Sequence, residues 1–299
     1  MMTTSLLIPI GITIMVALAL PGRDVQLSKT TAHISISAHS QSARKGDLVV
    51  LTITTLSSDA VPRVRAFNRT LLPFAVDATR WRVLVGIDLE TTPGVHFVEM
   101  ETGAPPDIER ATYRLLVTPR TFRTRTLTVD DAFVNPPASA QERIARETAE
   151  LNALWAASSP AKLWAGPFVR PVEDPANSAF GTRSILNGQP RSPHSGADFN
   201  SATGTPIKAP NAGRVVLAGD RYFTGNTVMI DHGLTLFSLF AHLSEMAVHE
   251  GDTVKAGEVI GKVGATGRVT GPHLHWSVRV NGARVDPLSL LSVLGETRR

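Results

Sequence analysis

Short segments in which apolar and polar residues alternate recur along most of the chain, and they limit the fold more than any other feature. Turn-forming residues separate four such segments in the first half: 33–37, 48–53, 81–87 and 113–117. Alternation with a period of two places the apolar side chains on one face of a β-strand. We therefore predict a mostly β protein in which residues 25–131 form an immunoglobulin-like β-sandwich.

A single segment between the two β-rich halves has helical spacing instead. The sequence Ser139 to Glu142 follows an Asn-Pro-Pro break at 135–137 and has the pattern of a capping box. Four residues then recur on one helical face: Ile144, Thr148, Leu151 and Trp155. This pattern predicts a helix at 139–157 within a linker at 132–177.

The last part of the chain, 178–299, again consists of short β signals punctuated by Gly and Asp. The clearest are at 213–217, 226–230 and 274–280. They predict an antiparallel β-sheet with tight hairpins. The stretch 158–190 that leads into this region is rich in Pro and Asn, and we expect it to pack near the functional cleft and slow the entry of substrate.

The first residues have the features of an export signal. Residues 5–20 are uncharged and mostly apolar, and Ala17 and Ala19 give a small-x-small cleavage pattern. We predict a signal peptide at 1–19 and an exported protein, periplasmic or extracellular and associated with the cell wall, without stable membrane insertion after cleavage. An uncleaved anchor is the alternative, because the leader has no Lys or Arg before its apolar run.

Charge and cysteine content narrow the choice of partners and metal ligands. The net charge of +4 favours an anionic partner, but the arginines are scattered and no nucleic-acid-binding motif is present, so we expect no nucleic-acid partner. With 0 cysteines, any zinc site must be built from His, Asp or Glu.

The chemically informative residues of the last region are histidines and one aspartate. His194 precedes Asp198 by four residues, His242 stands alone, and His273 and His275 share one face of a predicted strand. A hydrolytic zinc site needs three protein ligands and one open position, so two His and one Asp suffice and two histidines remain for proton transfer and oxyanion stabilisation. Taken alone, each of these patterns more often has a structural role than a role in a metal or catalytic site.

The segments around these residues resemble, in order, the lysostaphin-type (LytM-like) zinc metallopeptidases. The resemblance covers roughly 180–290 and rests on short motifs: 180–183, 193–199, 204–207, 226–228, 230–233, 240–243, 251–254, 264–267, 270–275 and 285–287. The family resemblance implies a mostly β peptidase domain at 178–299.

The same resemblance implies the roles of the site residues. His194, Asp198 and His275 match the family's metal ligands, with one Zn²⁺ per chain, and His242 and His273 match its other active-site histidines. The implied activity is hydrolysis of peptide cross-links in bacterial peptidoglycan, with D,D cross-links favoured, so the expected partners are stem peptides. We expect the chain to be a monomer.

Two other functions fit parts of the sequence. A non-catalytic wall-binding regulator of a wall hydrolase is one, although regulators of this family lose metal ligands and this chain keeps all five polar residues. A lipoyl or biotinyl carrier is the other, because 251–257 resembles a carrier hairpin. Departures from the family pattern at Phe240, Arg268 and Trp276 predict that these three residues line the groove and shift substrate preference.

Overall fold

The computed structural model describes residues 28–30, 34–39, 43–55, 61–103, 106–128, 131, 134–177 and 180–295. The predicted signal peptide at 1–19 lies outside these residues. The described part contains twenty-one strands and two α-helices, which confirms the prediction of a mostly β protein. Among the described helices, neither combines the length and apolar character needed to cross a membrane.

Two antiparallel sheets occupy the first half of the chain. The first has five strands in the order β1-β2-β3-β7-β6, and the second has four in the order β5-β4-β8-β9. Their strands are β1 (Ser28–Thr30), β2 (Ile34–His39), β3 (Leu48–Thr55), β4 (Arg63–Ala66), β5 (Arg69–Leu71), β6 (Phe74–Ala75), β7 (Arg80–Gly86), β8 (Gly94–Thr102) and β9 (Glu109–Val117).

The two sheets share one apolar core, as a sandwich requires. Ile36, Leu51 and Val85 from the first sheet lie in the same buried cluster as Val98 and Leu115 from the second. The alternation seen in the sequence therefore places apolar side chains between the sheets. The immunoglobulin-like detail and the predicted boundaries of the domain stay predictions.

The helix α1 (Ala138–Ala156) begins and ends one residue earlier than predicted. The prediction of a capping box was wrong, because Pro137 is the N-cap and no side chain caps the helix. Ser139 therefore lies inside the first turn, where its hydroxyl cannot accept from the free amides. At the other end, Trp155 is buried edge-on against Phe237, with 5.5 Å between ring centroids, and this contact anchors the helix on the C-terminal sheet.

A nine-stranded antiparallel sheet forms most of the second half. Its main path is β13-β20-β17-β16-β15-β18, with β19 paired to β17 and β14, and β21 paired to β20. The strands are β13 (Gly196–Phe199), β14 (Pro206–Lys208), β15 (Gly213–Arg221), β16 (Gly225–Asp231), β17 (Leu236–Met246), β18 (Thr253–Val254), β19 (Val259–Val263), β20 (Leu274–Val280) and β21 (Ala283–Val285).

Two further elements were not predicted. A small sheet joins β10 (Thr124–Leu127), β11 (Arg183–Leu186) and β12 (Gln189–Pro190), and β10 pairs in parallel with β11, although α1 lies between them in the chain. A helix, α2 (Pro287–Leu294), follows Asp286, whose carboxylate accepts from the Leu288 amide at 3.0 Å. A capping Asp followed by Pro at the first helical position is a recognised start signal.

The sandwich packs directly on the C-terminal sheet. Leu48, Val50 and Leu84 belong to the same buried cluster as the apolar side chains of β16, β17 and β20. Polar contacts support this packing, since Arg284 donates to Asp88 at 2.7 Å. The two β regions therefore share a buried apolar surface as well as the covalent connection.

Candidate metal and catalytic centre

Strand pairing brings the predicted site residues together. Asp198 on β13 lies directly opposite His275 on β20, and His275 lies opposite Ala241 on β17, next to His242. His273 precedes β20 and pairs with Gly264, while His194 lies in the loop before β13. All five residues predicted from the sequence line one cleft of about 530 Å³.

Three of the five side chains place donor atoms around one point. His194 Nε2 lies 3.0 Å from Asp198 Oδ1, and His275 Nδ1 lies 2.9 Å from the same oxygen. One ligand atom from each of the three residues lies within 4.8 Å of the others. Two imidazoles and one carboxylate are a common ligand set for zinc.

The hydrogen bonds of His275 indicate which ring nitrogen faces the cluster. The Ser277 hydroxyl donates to the Ser195 carbonyl at 3.2 Å, so it accepts from His275 Nε2 at 2.8 Å. The lone pair on Nδ1 can then bind a cation that lies between this nitrogen and the Asp198 carboxylate, whereas without a cation Nδ1 would carry a proton and donate to the carboxylate. The residues therefore fit a metal ion, with Ser277 holding the ligating ring in place.

Charge at this cluster is controlled by burial and by mutual hydrogen bonds. Burial alone would raise the pKa of Asp198, but hydrogen bonds from His194 and His275 outweigh it, so the pKa lies well below its usual value. Burial lowers the pKa of His275 and favours its neutral form. An ionised carboxylate and a neutral imidazole are the forms that bind metal ions.

The backbone at Gly196 allows this close approach. A Cβ atom on Gly196 would lie 2.5 Å from the Trp276 carbonyl oxygen and 2.7 Å from Cε1 of His275. Every other residue would therefore displace the strand or the ligating ring. The requirement for glycine here follows from packing against the site.

His242 lies at a β-bulge in β17, where Ala241 and His242 together face the single residue Thr227 on β16. Its backbone φ is +67°, a conformation that costs a non-glycine residue of order 1–3 kcal/mol and is concentrated at functional sites. The bulge turns the ring toward the cleft.

Hydrogen bonding and burial leave Nε2 of His242 as a base. Nδ1 donates to the Thr266 carbonyl at 2.9 Å, so the lone pair of the neutral ring is on Nε2. Burial lowers the pKa of His242 to about 4. The ring is therefore neutral near pH 7 and able to accept a proton.

His273 has the same arrangement on the other side of the cleft. Its Nδ1 donates to the Gly271 carbonyl at 2.9 Å, and its Nε2 lies 4.0 Å from Asp198 Oδ1. The rings of His242 and His273 are neighbours, with centroids 4.9 Å apart. Both histidines thus present Nε2 to the space beside the metal-ligand cluster.

Other histidines and cavities do not share these features. His232 is fully buried, with its two ring nitrogens hydrogen-bonded to the Ala212 carbonyl and the Ser238 hydroxyl, so its role is structural. A larger cavity of about 880 Å³ lies beside the end of α1 and β15. Its buried carboxylate, Asp231, accepts hydrogen bonds from Ser158 and the backbone, and the described residues form no set of metal ligands around it.

The prediction that Phe240 and Trp276 line the groove was wrong. Both side chains are fully buried and stack on each other, with ring centroids 6.3 Å apart. Trp276 follows His275 on a strand, so alternation sends it to the opposite face, into the core. Arg268 does line the cleft.

Sequence reasoning missed the residues that hold the histidines. Ser277 could have been found, because it lies two residues after His275 on the same strand face. The carbonyl groups of Thr266 and Gly271 carry no side-chain signal and depend on loop geometry. Three residues of the segment 158–190 line the cleft: Asn177, Ser184 and Leu186. That this segment slows the entry of substrate stays a prediction.

Comparison with known proteins places this geometry in a family. Residues 192–287 match the description Peptidase family M23. The chain is 46% identical over 97 residues to the DD-carboxypeptidase/endopeptidase Mpg of Neisseria meningitidis, and 43% identical over 96 residues to the peptidoglycan DD-endopeptidase ShyA of Vibrio cholerae. Each match covers 32% of this chain and only 22% of the relative's length.

A solved structure matches over nearly the whole chain. The crystal structure of an M23 peptidase from Pseudomonas aeruginosa is 35% identical, with a TM-score of 0.65, and the match covers 84% of this chain and 96% of that one. The similarity thus includes the N-terminal sheets as well as the cleft. On this evidence, the chain belongs to peptidase family M23.

Proposed function

We propose that the chain is a zinc-dependent endopeptidase that hydrolyses peptide cross-links of bacterial peptidoglycan, with D,D cross-links as its substrates. The observation that carries this proposal is the convergence of three metal-binding side chains and two further histidines in one open cleft. Relatives that share the M23 region are named as DD-endopeptidases, which supports the choice of substrate.

His194, Asp198 and His275 would hold one Zn²⁺ per chain. Three protein ligands leave a position open, as catalytic zinc sites require. When bound, zinc supplies Lewis acidity that activates water and polarises the scissile carbonyl. The Ser277 hydroxyl keeps the His275 ring in the orientation and tautomer that this role needs.

His242 would act as the general base. Its Nδ1–H is held by the Thr266 carbonyl, so Nε2 accepts a proton from the attacking water and later returns it to the departing amine. The low pKa that burial produces keeps this nitrogen unprotonated near neutral pH, ready for the first transfer.

His273 would stabilise the oxyanion that forms on the scissile carbonyl. Its Nδ1–H is held by the Gly271 carbonyl, so when the ring carries both protons it would donate from Nε2, which lies 4.0 Å from Asp198 Oδ1. A donor fixed at the position where negative charge develops is typically worth about 10²–10³ in rate. The Gly271 carbonyl prevents the ring from rotating away.

Such an activity implies an exported, periplasmic or wall-associated protein whose partners are peptidoglycan stem peptides, with no nucleic-acid partner. A monomer without stable membrane insertion after removal of the signal peptide at 1–19 fits this proposal. N-terminal sequencing of the exported protein tests the location, and we expect it to begin near Leu20. A soluble cytoplasmic protein that retains Met1 would contradict export.

Mass spectrometry of defined cross-linked muropeptides tests the activity. We expect the wild-type chain with zinc to convert D,D-linked dimers to monomers, and the His194→Ala variant to leave them intact. A wild-type chain that binds peptidoglycan but releases no monomer would support the alternative, a non-catalytic wall-binding regulator. Cleavage of glycine bridges alone would contradict the D,D assignment.

A further inference from the structure

Three arginines line the same cleft as the metal-ligand cluster, and we call them the arginine rim: Arg125, Arg191 and Arg268. They come from three separate segments, namely β10, the residue after β12 and the loop between β19 and β20. Arg125 and Arg191 precede residue 192, where the match to the M23 description begins. The rim therefore depends on the segments that pair as β10 and β11.

Arg268 is held in place by an aromatic ring. Its guanidinium carbon lies 4.4 Å from the centroid of the Phe223 ring, and its backbone amide donates to the Phe223 carbonyl at 2.9 Å. Stacking on a ring fixes the plane of a guanidinium group. Burial, and then the positive charge of Arg191, lowers the pKa of Arg268.

Arg191 is anchored by neutral groups. Its Nη2 donates to the Val134 carbonyl at 2.7 Å and to the Gln189 side-chain oxygen at 3.2 Å. Within the described part of the chain, Arg191 has no ion pair, and its buried Nε has no hydrogen-bond acceptor. Two half-buried cations close enough to repel each other attract an anion into the space between them.

We propose that Arg191 and Arg268, with Arg125 at the exposed edge, form a carboxylate-binding subsite that selects cross-links bearing a free carboxylate on the carbon attached to the scissile nitrogen. Carboxylates fit guanidinium groups because two parallel hydrogen bonds form between planar partners. This proposal rests on the proposed function and assigns the chemical group that the cleft recognises.

The subsite gives a physical reason for preferring one type of cross-link. When a D-alanyl carbonyl is joined to the D-centre of a diamino acid, the carbon next to the scissile nitrogen carries a free carboxylate. The corresponding carbon in a glycine bridge carries two hydrogens and an amide carbonyl, and no free carboxylate. Two cations in the cleft that contains the metal-ligand cluster therefore favour the first substrate and gain nothing from the second.

Steady-state cleavage of three matched peptide dimers tests the proposal. The first has all carboxylates free, the second has the carboxylate next to the scissile nitrogen converted to carboxamide, and the third has a carboxylate on the carbonyl-side stem amidated instead. For the wild-type chain with zinc, we expect kcat/KM for the second dimer to be roughly 10- to 100-fold below the first, the range of a charge-assisted hydrogen bond. The third should resemble the first.

The variants Arg191→Gln and Arg268→Gln should each lose most of this preference, chiefly by slower cleavage of the first dimer. Arg214→Gln serves as the matched control, because Arg214 is an exposed arginine on β15 outside the cleft lining. It should retain the wild-type preference. Equal cleavage of the first two dimers by the wild-type chain, or an unchanged preference in both cleft variants, would overturn the subsite.

Calorimetric binding separates this result from failure of the proposed function. If the wild-type chain cleaves none of the dimers, the proposed function fails, but binding still tests the subsite. Tighter binding of the first dimer than of the second, lost in Arg191→Gln and Arg268→Gln, would support the subsite even then. Equal binding of the two dimers would contradict it. If amidation of the carbonyl-side carboxylate, and not of the carboxylate next to the scissile nitrogen, lowers cleavage or binding, the arginines bind a different group of the substrate. That result would overturn the proposal.

Discussion

The N-terminal sandwich and the C-terminal sheet are both antiparallel β structures with apolar cores, yet they differ in what else they bury. The described residues of the sandwich bury two polar side chains: Asp47, which accepts from the Arg44 amide, and Thr55, which hydrogen-bonds to the Thr79 carbonyl. The C-terminal sheet buries several polar residues: Thr227, Asp231, His232, Ser238, His242 and Ser277. Apolar burial explains the first region but does not account for the second.

The difference indicates where function lies. A buried polar group costs roughly 1–3 kcal/mol unless it is hydrogen-bonded, so each one in the C-terminal sheet needs a partner or a purpose. Some have structural partners, as His232 does with Ser238. His242 instead lines the cleft, and Ser277 hydrogen-bonds to the proposed ligand His275. We therefore expect substitutions in the sandwich to change stability, and substitutions at the cleft to change metal binding or the rate of cleavage.

The largest effect is expected from removing a proposed metal ligand. The variants His194→Ala, Asp198→Ala and His275→Ala each leave two of three ligands, so both zinc content and cleavage should fall to near background. Atomic emission gives the metal content, and muropeptide cleavage gives the rate. A variant of this set that keeps one zinc per chain and full activity would remove that residue from the centre.

A second class of variant should keep the metal and lose the rate. We expect His242→Ala and His273→Ala to bind zinc near one per chain and to be slower by roughly 10²–10⁴-fold, the range of general acid–base and oxyanion groups. Circular dichroism checks that the fold is retained. Zinc-free His242→Ala would make that residue a ligand, and fully active His273→Ala would exclude it from the mechanism.

A core variant of the sandwich should affect stability alone. Leu51 is fully buried between the two sheets, so Leu51→Ala should lower the free energy of unfolding by about 2–5 kcal/mol. Urea denaturation measures this change. Zinc content and cleavage per folded molecule should stay at the wild-type level. A loss of activity without a loss of stability would show that the two regions are coupled more closely than this comparison implies.

The smallest effect is expected at the residue that holds a ligand. Ser277→Ala removes the acceptor for His275 Nε2, and loss of such a partner typically weakens metal affinity by about 10- to 100-fold. Competition with a chelator measures the affinity. Ser244→Ala on β17 is the control, since Ser244 hydrogen-bonds to the Val263 carbonyl and does not line the cleft. Equal affinity in the wild type and Ser277→Ala would contradict the role given to Ser277.

The class of fold was predictable from local alternation, and the five residues of the candidate site were predictable from short motifs that resemble the family. A His-x-His pair in extended backbone projects both rings to one side, as His275 on β20 and His273 just before it do. The position of Trp276 was open to the same reasoning, since a residue between two inward-facing histidines must point away from them. The prediction that Trp276 lines the groove followed the comparison with the family pattern and did not apply the alternation of side chains along a strand.

Features that depend on distant parts of the chain could not be predicted. The parallel pairing of β10 with β11 joins residues about sixty positions apart, and no local pattern indicates it. The arginine rim depends on that pairing, so no local pattern marks Arg125 and Arg191. The bulge that turns His242 into the cleft likewise depends on how β16 and β17 align.

The account depends most on a zinc ion bound by His194, Asp198 and His275. Anomalous diffraction at the zinc edge, from crystals of the wild-type chain, measures this directly. We predict one zinc peak bound by Nε2 of His194, Oδ1 of Asp198 and Nδ1 of His275, with His275 Nε2 still hydrogen-bonded to Ser277. A cleft without a zinc peak at full zinc saturation, or a peak held by other side chains, would contradict the account.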